Sequence, residues 1–177
     1  MKHHQSAYQA KRDIAEELAV LGARAVTISA VAKTNPSDSR DLYKQIRKTQ
    51  SQSGQTPTDH EWFLANRTRR LHGALLLLMY ARYRTGLNLQ HDGHGLAFAL
   101  TLRSYHQLFK EEAIVSPERF SLLATNGFAI GWQNIIRGGA SKFRSDNVKV
   151  MKCRKCLIPH LVEAHFLNFT CQMHQVK

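Results

Sequence analysis

Four soft metal ligands close to the C-terminal end constrain this chain more than any other feature: Cys153-Arg154-Lys155-Cys156, then 14 residues, then Cys171-Gln172-Met173-His174. In each pair two residues separate the ligands, so one turn brings both side chains to the same side and two such turns can close a tetrahedron around one ion. So short a segment cannot bury enough apolar surface to fold alone, and the binding free energy of the metal becomes folding free energy. Four protein ligands leave no position open for water, which makes the expected zinc ion structural. The assigned ligands are Cys153, Cys156, Cys171 and His174. His160 and His165 lie inside the loop and are alternatives for the fourth place, although neither reproduces the two-residue gap. The chain's 3 cysteines all fall in this region, an odd and clustered number that argues against a disulfide framework. An iron–sulfur cluster usually takes four thiolates, one more than the chain supplies.

Upstream, apolar residues recur at helical intervals. Ile14, Leu18, Leu21 and Ala25 mark a first helix broken near Gly22, and Ile28, Val31 and Ala32 mark a second that ends before Pro36, because the residue preceding a proline is pushed out of the α region. A third helix follows, capped by Ser37 or Asp38, with Leu42, Tyr43 and Ile46 inward. From Thr49 to Asp59 the chain is Gln, Ser, Thr, Gly and Pro, the composition of an exposed linker. Trp62 and Phe63 open a long helical pattern continued by Leu71, Leu75, Leu78 and Met79. Asp92-Gly93-His94-Gly95 reads as a turn, and Phe98, Leu102, Tyr105 and Phe109 mark another helix. Pro117 opens a further pair in which Phe128, Trp132, Ile135 and Ile136 share a face, stopped by Gly138-Gly139. Phe143 and Val148 to Met151 suggest short extended segments, and Phe166, Asn168 and Thr170 alternate in a β-like manner. The expected fold is mostly α: an N-terminal helical, helix-turn-helix-like region over 1–50, a linker over 51–59, a central helical body with the partner interface over 60–139, and a small zinc ribbon over 140–177.

Lys plus Arg number 25 against 13 acidic residues, a formal net charge of +12. Such an excess favours polyanionic partners through counterion release and steering. The segment from Ile28 to Lys48 reads as helix, sharp turn, helix, with small Ala32 suited to close packing. A recognition helix presents its N-terminal and outward residues to the major groove, which nominates Ser39, Arg40, Lys44, Arg47 and Lys48 as DNA contacts. Around the ribbon, Lys149, Lys152, Arg154 and Lys155 suit backbone phosphates, and Arg67, Arg69 and Arg70 form a competing basic cluster.

Other function classes fit less well. The longest apolar run, Ala74 to Met79, is far shorter than the ~18 residues of a membrane span, and the basic N-terminus lacks the apolar stretch of a secretory signal. A cytoplasmic, nucleoid-associated location is expected. Asp59-His60-Glu61 and His91-Asp92-Gly93-His94 contain ligand types that a metal-dependent nuclease would use, yet both sit at turns where capping residues are wanted, without a second acidic cluster. Trp62 and Trp132 are in phase with apolar stripes, as core residues would be. Gly138-Gly139 lacks the pattern of a phosphate loop. No enzymatic activity and no small-molecule substrate are expected.

Leu21-Gly22-Ala23-Arg24, Leu42 to Lys48 (LYKQIRK), the Gly54 to Pro57 linker, Trp62-Phe63, His72 and the late cysteine pairs occur together in this order along nearly the whole chain. In this the sequence resembles the FlhC family. The resemblance implies a mostly helical subunit with a zinc-bound ribbon that assembles with a smaller helical partner, FlhD, binds double-stranded promoter DNA and activates transcription by recruiting RNA polymerase. His174 stands where the family usually has a fourth cysteine, a swap that zinc accepts. FlhC-like activators also serve conjugative elements, so the expected targets are flagellar or conjugative-transfer operons. Two other readings fit the charge and the ribbon: an RNA-binding zinc-ribbon protein, and an assembly subunit that leaves DNA contact to its partner.

Overall fold

A computed structural model of the chain describes residues 2–86, 93–129, 141–142 and 147–175. The first helix, α1 (Lys2–Val20), ends in two backbone bonds, Gly22 N–H to the Ala19 carbonyl and Ala23 N–H to that of Leu18. Gly22 lies between them at φ 88°, the left-handed conformation that this helix stop requires and glycine adopts without strain. Helix α2 (Ala25–Ala32) stops at Lys33, which is left-handed, and α3 (Pro36–Arg47) begins three residues later. Proline suits the first helical position because its missing N–H would have had no partner there. The cap is Asn35, whose side chain accepts from Ser37 N–H at 3.1 Å, rather than the expected Ser37 or Asp38. The three helices pack pairwise. Their mutual core is built from Leu18, Ile28, Val31 and Tyr43, with Leu42 and Ile46 half-buried at its edge.

The Gln- and Ser-rich segment carries neither helix nor strand and is mostly exposed, yet it is tied down. Ser51 Oγ accepts from Ala25 N–H at 2.9 Å, and the Arg24 guanidinium donates to the carbonyls of Gly54 and Gln55. The long helix does not begin at Trp62: a single 3-10 turn, Glu61–Phe63, comes first, and α4 (Arg67–Gly86) starts after Asn66, whose side chain caps it through Arg69 N–H at 2.9 Å. Gly93, His94 and Gly95 form no turn but the first turn of α5 (Gly93–Phe109). A Cβ at Gly95 would stand 3.1 Å from the Val31 carbonyl oxygen, so glycine there lets α5 approach α2. After a 3-10 turn at Lys110–Glu112, α6 (Pro117–Ala129) follows Ser116, which caps it through Arg119 N–H.

The strands β1 (Ser141–Lys142), β2 (Val148–Lys152) and β3 (Pro159–Glu163) form an antiparallel sheet in that order, with Val148 opposite Glu163 and Lys152 opposite Pro159. Strand β3 is buried on both faces because successive side chains point oppositely. Leu161 joins the helical core against α4, whereas Val162 packs against the cysteines. Gly73 makes the fit of α4 possible: a Cβ there would meet the Phe63 ring at 2.8 Å and Leu161 at 3.5 Å. Arg70 adds a polar link, donating to the Leu64 carbonyl and to Glu163 at 3.4 Å. One apolar cluster therefore runs from Ala15 in α1 to Leu161 in β3.

The β-like alternation of Phe166, Asn168 and Thr170 forms no strand; a turn at 164–165, a bend at 167–168 and irregular backbone take its place, and the strand lies earlier, at Pro159–Glu163. Trp132, Ile135, Ile136, Gly138, Gly139 and Phe143 lie outside the described residues. Among the described residues no helix is long and apolar enough to cross a membrane.

Candidate metal centre and basic surfaces

Strand β2 leads directly into the first ligand turn. Cys153 N–H bonds to the Ile158 carbonyl at 3.0 Å and Leu157 N–H to the Cys153 carbonyl at 2.9 Å, a tight knuckle in which Leu157 takes φ 60°. The second turn closes through His174 N–H and Gln175 N–H, both donating to the Cys171 carbonyl, and Arg154 N–H reaches the Phe169 carbonyl to join the two turns. The ligand atoms of Cys153, Cys156, Cys171 and His174 all lie within 4.8 Å of one another. Cys156 Sγ to Cys171 Sγ is 3.9 Å, Cys153 Sγ to His174 Nδ1 is 3.9 Å and Cys171 Sγ to His174 Nδ1 is 3.2 Å. Edges of a tetrahedron with metal–sulfur bonds of ~2.3 Å and metal–nitrogen bonds of ~2.0 Å are about 3.5 to 3.8 Å. The four residues thus lie where they could hold one metal ion.

The electrostatics fit a cation. Burial opposes ionisation of Cys153, yet backbone N–H groups of Cys171, Cys156 and Lys155 aimed at its sulfur bring the thiol down to about 6. Burial pushes the Cys171 thiol up to about 11, and the neighbouring sulfurs of Cys153 and Cys156 add to it. Crowded thiols resist ionising together unless a cation compensates them, and thiolates are the form that ligates. Phe169 and Val162 close the apolar side of the cluster; His174 is exposed.

The two loop histidines are elsewhere. His160 is buried against Phe169, with ring centroids 5.2 Å apart; burial and then the Arg70 charge lower its pKa to about 4. His165 is exposed and stacked on Phe166. Neither joins the four-ligand cluster, so His174 takes the fourth place.

Of the residues nominated for DNA, Arg40, Lys44, Arg47 and Lys48 are exposed on α3 or at its end. Ser39 is corrected: it is 1% exposed, its hydroxyl 2.7 Å from Thr34 Oγ1 and donating to the Asn35 carbonyl, so it holds the turn and does not face a groove. Lys149 and Lys152 are half-buried along β2; Arg154 and Lys155 are exposed on the knuckle, with Arg154 hydrogen-bonded to Asn168.

Sequence reasoning missed two residues of α6. The Glu118 carboxylate, only 9% exposed, accepts from Arg24 N–H at 2.9 Å and from Thr27 Oγ1 at 3.4 Å, so it caps α2 from 94 positions away. Arg119 lies over the Trp62 ring at 4.2 Å, and Arg69 lies over the same residue at 4.3 Å. No local pattern signals contacts at such separations. Trp62, expected in the core, is half-buried and packs against the core's edge while also carrying these cations. No protein-family model matches the chain, and no curated protein does either.

Proposed function

We propose that this chain is a sequence-specific DNA-binding subunit of a transcription activator, held in shape at its C-terminal end by one structural zinc ion on Cys153, Cys156, Cys171 and His174. In this reading it works as a hetero-oligomer with an FlhD-like helical subunit, recruits RNA polymerase, and switches on flagellar or conjugative-transfer operons. The observation that carries the reading is the α2–α3 pair. A three-residue turn, Lys33 to Asn35, separates two packed helices, and the second turns Arg40, Lys44 and Arg47 outward from a buried Tyr43. That spacing suits a helix-turn-helix, and arginine can grip guanine bidentately in the major groove. The net charge of +12 supports a polyanionic partner. Zinc is the metal that a Cys3His set of this spacing favours, and a closed set of protein ligands suits scaffolding.

The test is duplex binding by the zinc-loaded complex of this chain with its partner subunit, on promoter fragments recovered by chromatin immunoprecipitation from the host. Arg40→Ala or Arg47→Ala is expected to weaken specific binding by about fivefold or more, the cost of ~1–3 kcal/mol for one base contact. Wild-type affinity in Arg40→Ala, Lys44→Ala and Arg47→Ala alike would overturn the assignment of α3. Preference for structured RNA over duplex would favour the RNA-binding alternative, and full activity without any salt-sensitive DNA contact by this chain would favour the assembly subunit.

A further inference from the structure

Resting on the DNA-binding reading and extending it, we propose that Arg69 and Arg119, both laid over Trp62, form a second contact with the phosphate backbone, separate from α3 and the ribbon. The two guanidiniums arrive from different helices. Arg69 is in the first turn of α4, Arg119 in the first turn of α6, and Trp62 is in the 3-10 turn that precedes α4. Two like charges gather over one indole, at 4.3 and 4.2 Å, and among the described residues no carboxylate is in ion-pair contact with either. The indole's negative π-face holds each cation but does not neutralise it.

Among the described residues neither guanidinium has a hydrogen-bond acceptor. The described hydrogen bonds of Arg69 and Arg119 are made by their backbone N–H groups, to Asn66 Oδ1 and Ser116 Oγ. Arg119 Nη1 is buried and has no acceptor among the described residues, so an acceptor oxygen there would satisfy it. Among the described residues the acidic neighbour acting on Arg119 through space is Asp59, whose Oδ1 already accepts from Glu61 N–H at 2.7 Å. Burial is the main influence on Arg119, and a partly desolvated guanidinium gains more from an anion than a solvated one.

A phosphodiester meets these requirements better than a nucleobase. Both guanidiniums already lie over the indole, so a stacking base would compete with them for its π-face. A phosphate instead supplies the acceptor oxygens that planar guanidiniums take in pairs. The site is also mechanically continuous with α2 and α3. Glu118, adjacent to Arg119, holds the start of α2, so the first turn of α6 positions both surfaces.

Non-specific duplex binding is governed by phosphate contacts, so the operator need not be known. The experiment measures binding of the zinc-loaded full chain, with its partner subunit, to a fluorescein-labelled duplex of mixed sequence across a series of KCl concentrations. Losing two phosphate contacts makes the slope of log K against log salt shallower by about 1.8 in an Arg69→Gln, Arg119→Gln double variant. An Arg69→Lys, Arg119→Lys variant, which keeps the charge, holds the wild-type slope. Circular dichroism confirms that both variants keep wild-type helix content. A wild-type slope in the glutamine variant overturns the proposal, and if the α3 variants still lose binding in that assay, the DNA-binding reading survives it. No salt-dependent duplex binding by the wild-type complex overturns both. An effect seen only with a structured RNA probe overturns the assignment to DNA.

Discussion

Replacing Glu118 by alanine is expected to destabilise the folded chain by about 2–4 kcal/mol. The start of α2 supplies no cap of its own: Arg24 occupies the cap position and its side chain makes no capping bond. Glu118 Oε1 takes the Arg24 N–H at 2.9 Å and the Thr27 hydroxyl at 3.4 Å, and stands 3.8 Å from Arg24 Nε, with both side chains largely buried at 16% and 10% exposure. A hydrogen bond to an ionised acceptor is worth roughly 1.5–3 kcal/mol. The weaker hydroxyl bond and the long ion pair add to it, while Arg24 keeps its carbonyl acceptors at Gly54 and Gln55 and is not stranded. Glu118→Gln keeps an oxygen for Arg24 N–H and loses only the charge, so about half the cost is expected. A chain of this size loses ~2–4 °C of midpoint per kcal/mol, which makes alanine a drop of roughly 5–15 °C by circular dichroism of zinc-loaded protein. A change under ~0.5 kcal/mol for alanine, or equal losses for the two variants, would refute the account of Glu118 as a cap supplied from another helix.

Gly73→Ala sets a helix-propensity gain of ~1 kcal/mol against overpacking of ~1–3 kcal/mol, because the new Cβ lies 2.8 Å from the ring of fully buried Phe63. The clash should win, and a urea midpoint above wild type would contradict it. Cys156→Ser is expected to release the proposed zinc ion and unfold the ribbon, whereas His160→Gln should retain the proposed ion; elemental analysis after dialysis separates the two, and metal lost from the latter would move His160 into the proposed ligand set. Burial, with the charges of Arg84 and Lys33 adding to it, lowers the His94 pKa from 6.5 to about 4. Between those values the unfolded chain binds the extra proton, so the stability that neutral His94 contributes is complete above pH 6.5 and is lost as pH falls toward 4. His94→Gln should lose less of its urea midpoint than wild type between pH 6.5 and 4.5, and an equal loss would count against this origin. Protonation of the metal ligands is common to both proteins and cancels.

The main helices are legible in the chain because their signals are local. Apolar spacing places Leu18, Ile28 and Tyr43, Gly22 marks the first stop, and Pro36 and Pro117 mark starts. The metal cluster is legible for the same reason: each Cys-x-x-ligand turn is a short-range geometry, and the 14-residue gap only has to return the chain to its start. Local signals are ambiguous where nearby options compete. Three capping residues stand together at Asn35, Ser37 and Asp38, and alternation at 166–170 imitates a strand that the chain forms at Pro159–Glu163 instead, where β2 offers a partner.

By itself, then, the sequence determined that the chain is mostly helical, that Cys153, Cys156 and Cys171 gather near one another, and that the surface is strongly basic. Only the tertiary structure decided that His174 rather than His160 completes the cluster, since β3 turns His160 inward against Phe169. It likewise buried Ser39, laid Arg119 over Trp62 and carried Glu118 to the start of α2. Each of these depends on which faces of distant elements meet. Periodicity says that a residue is inward or outward on its own helix, but a partner dozens of residues away is chosen by the packing of the whole core.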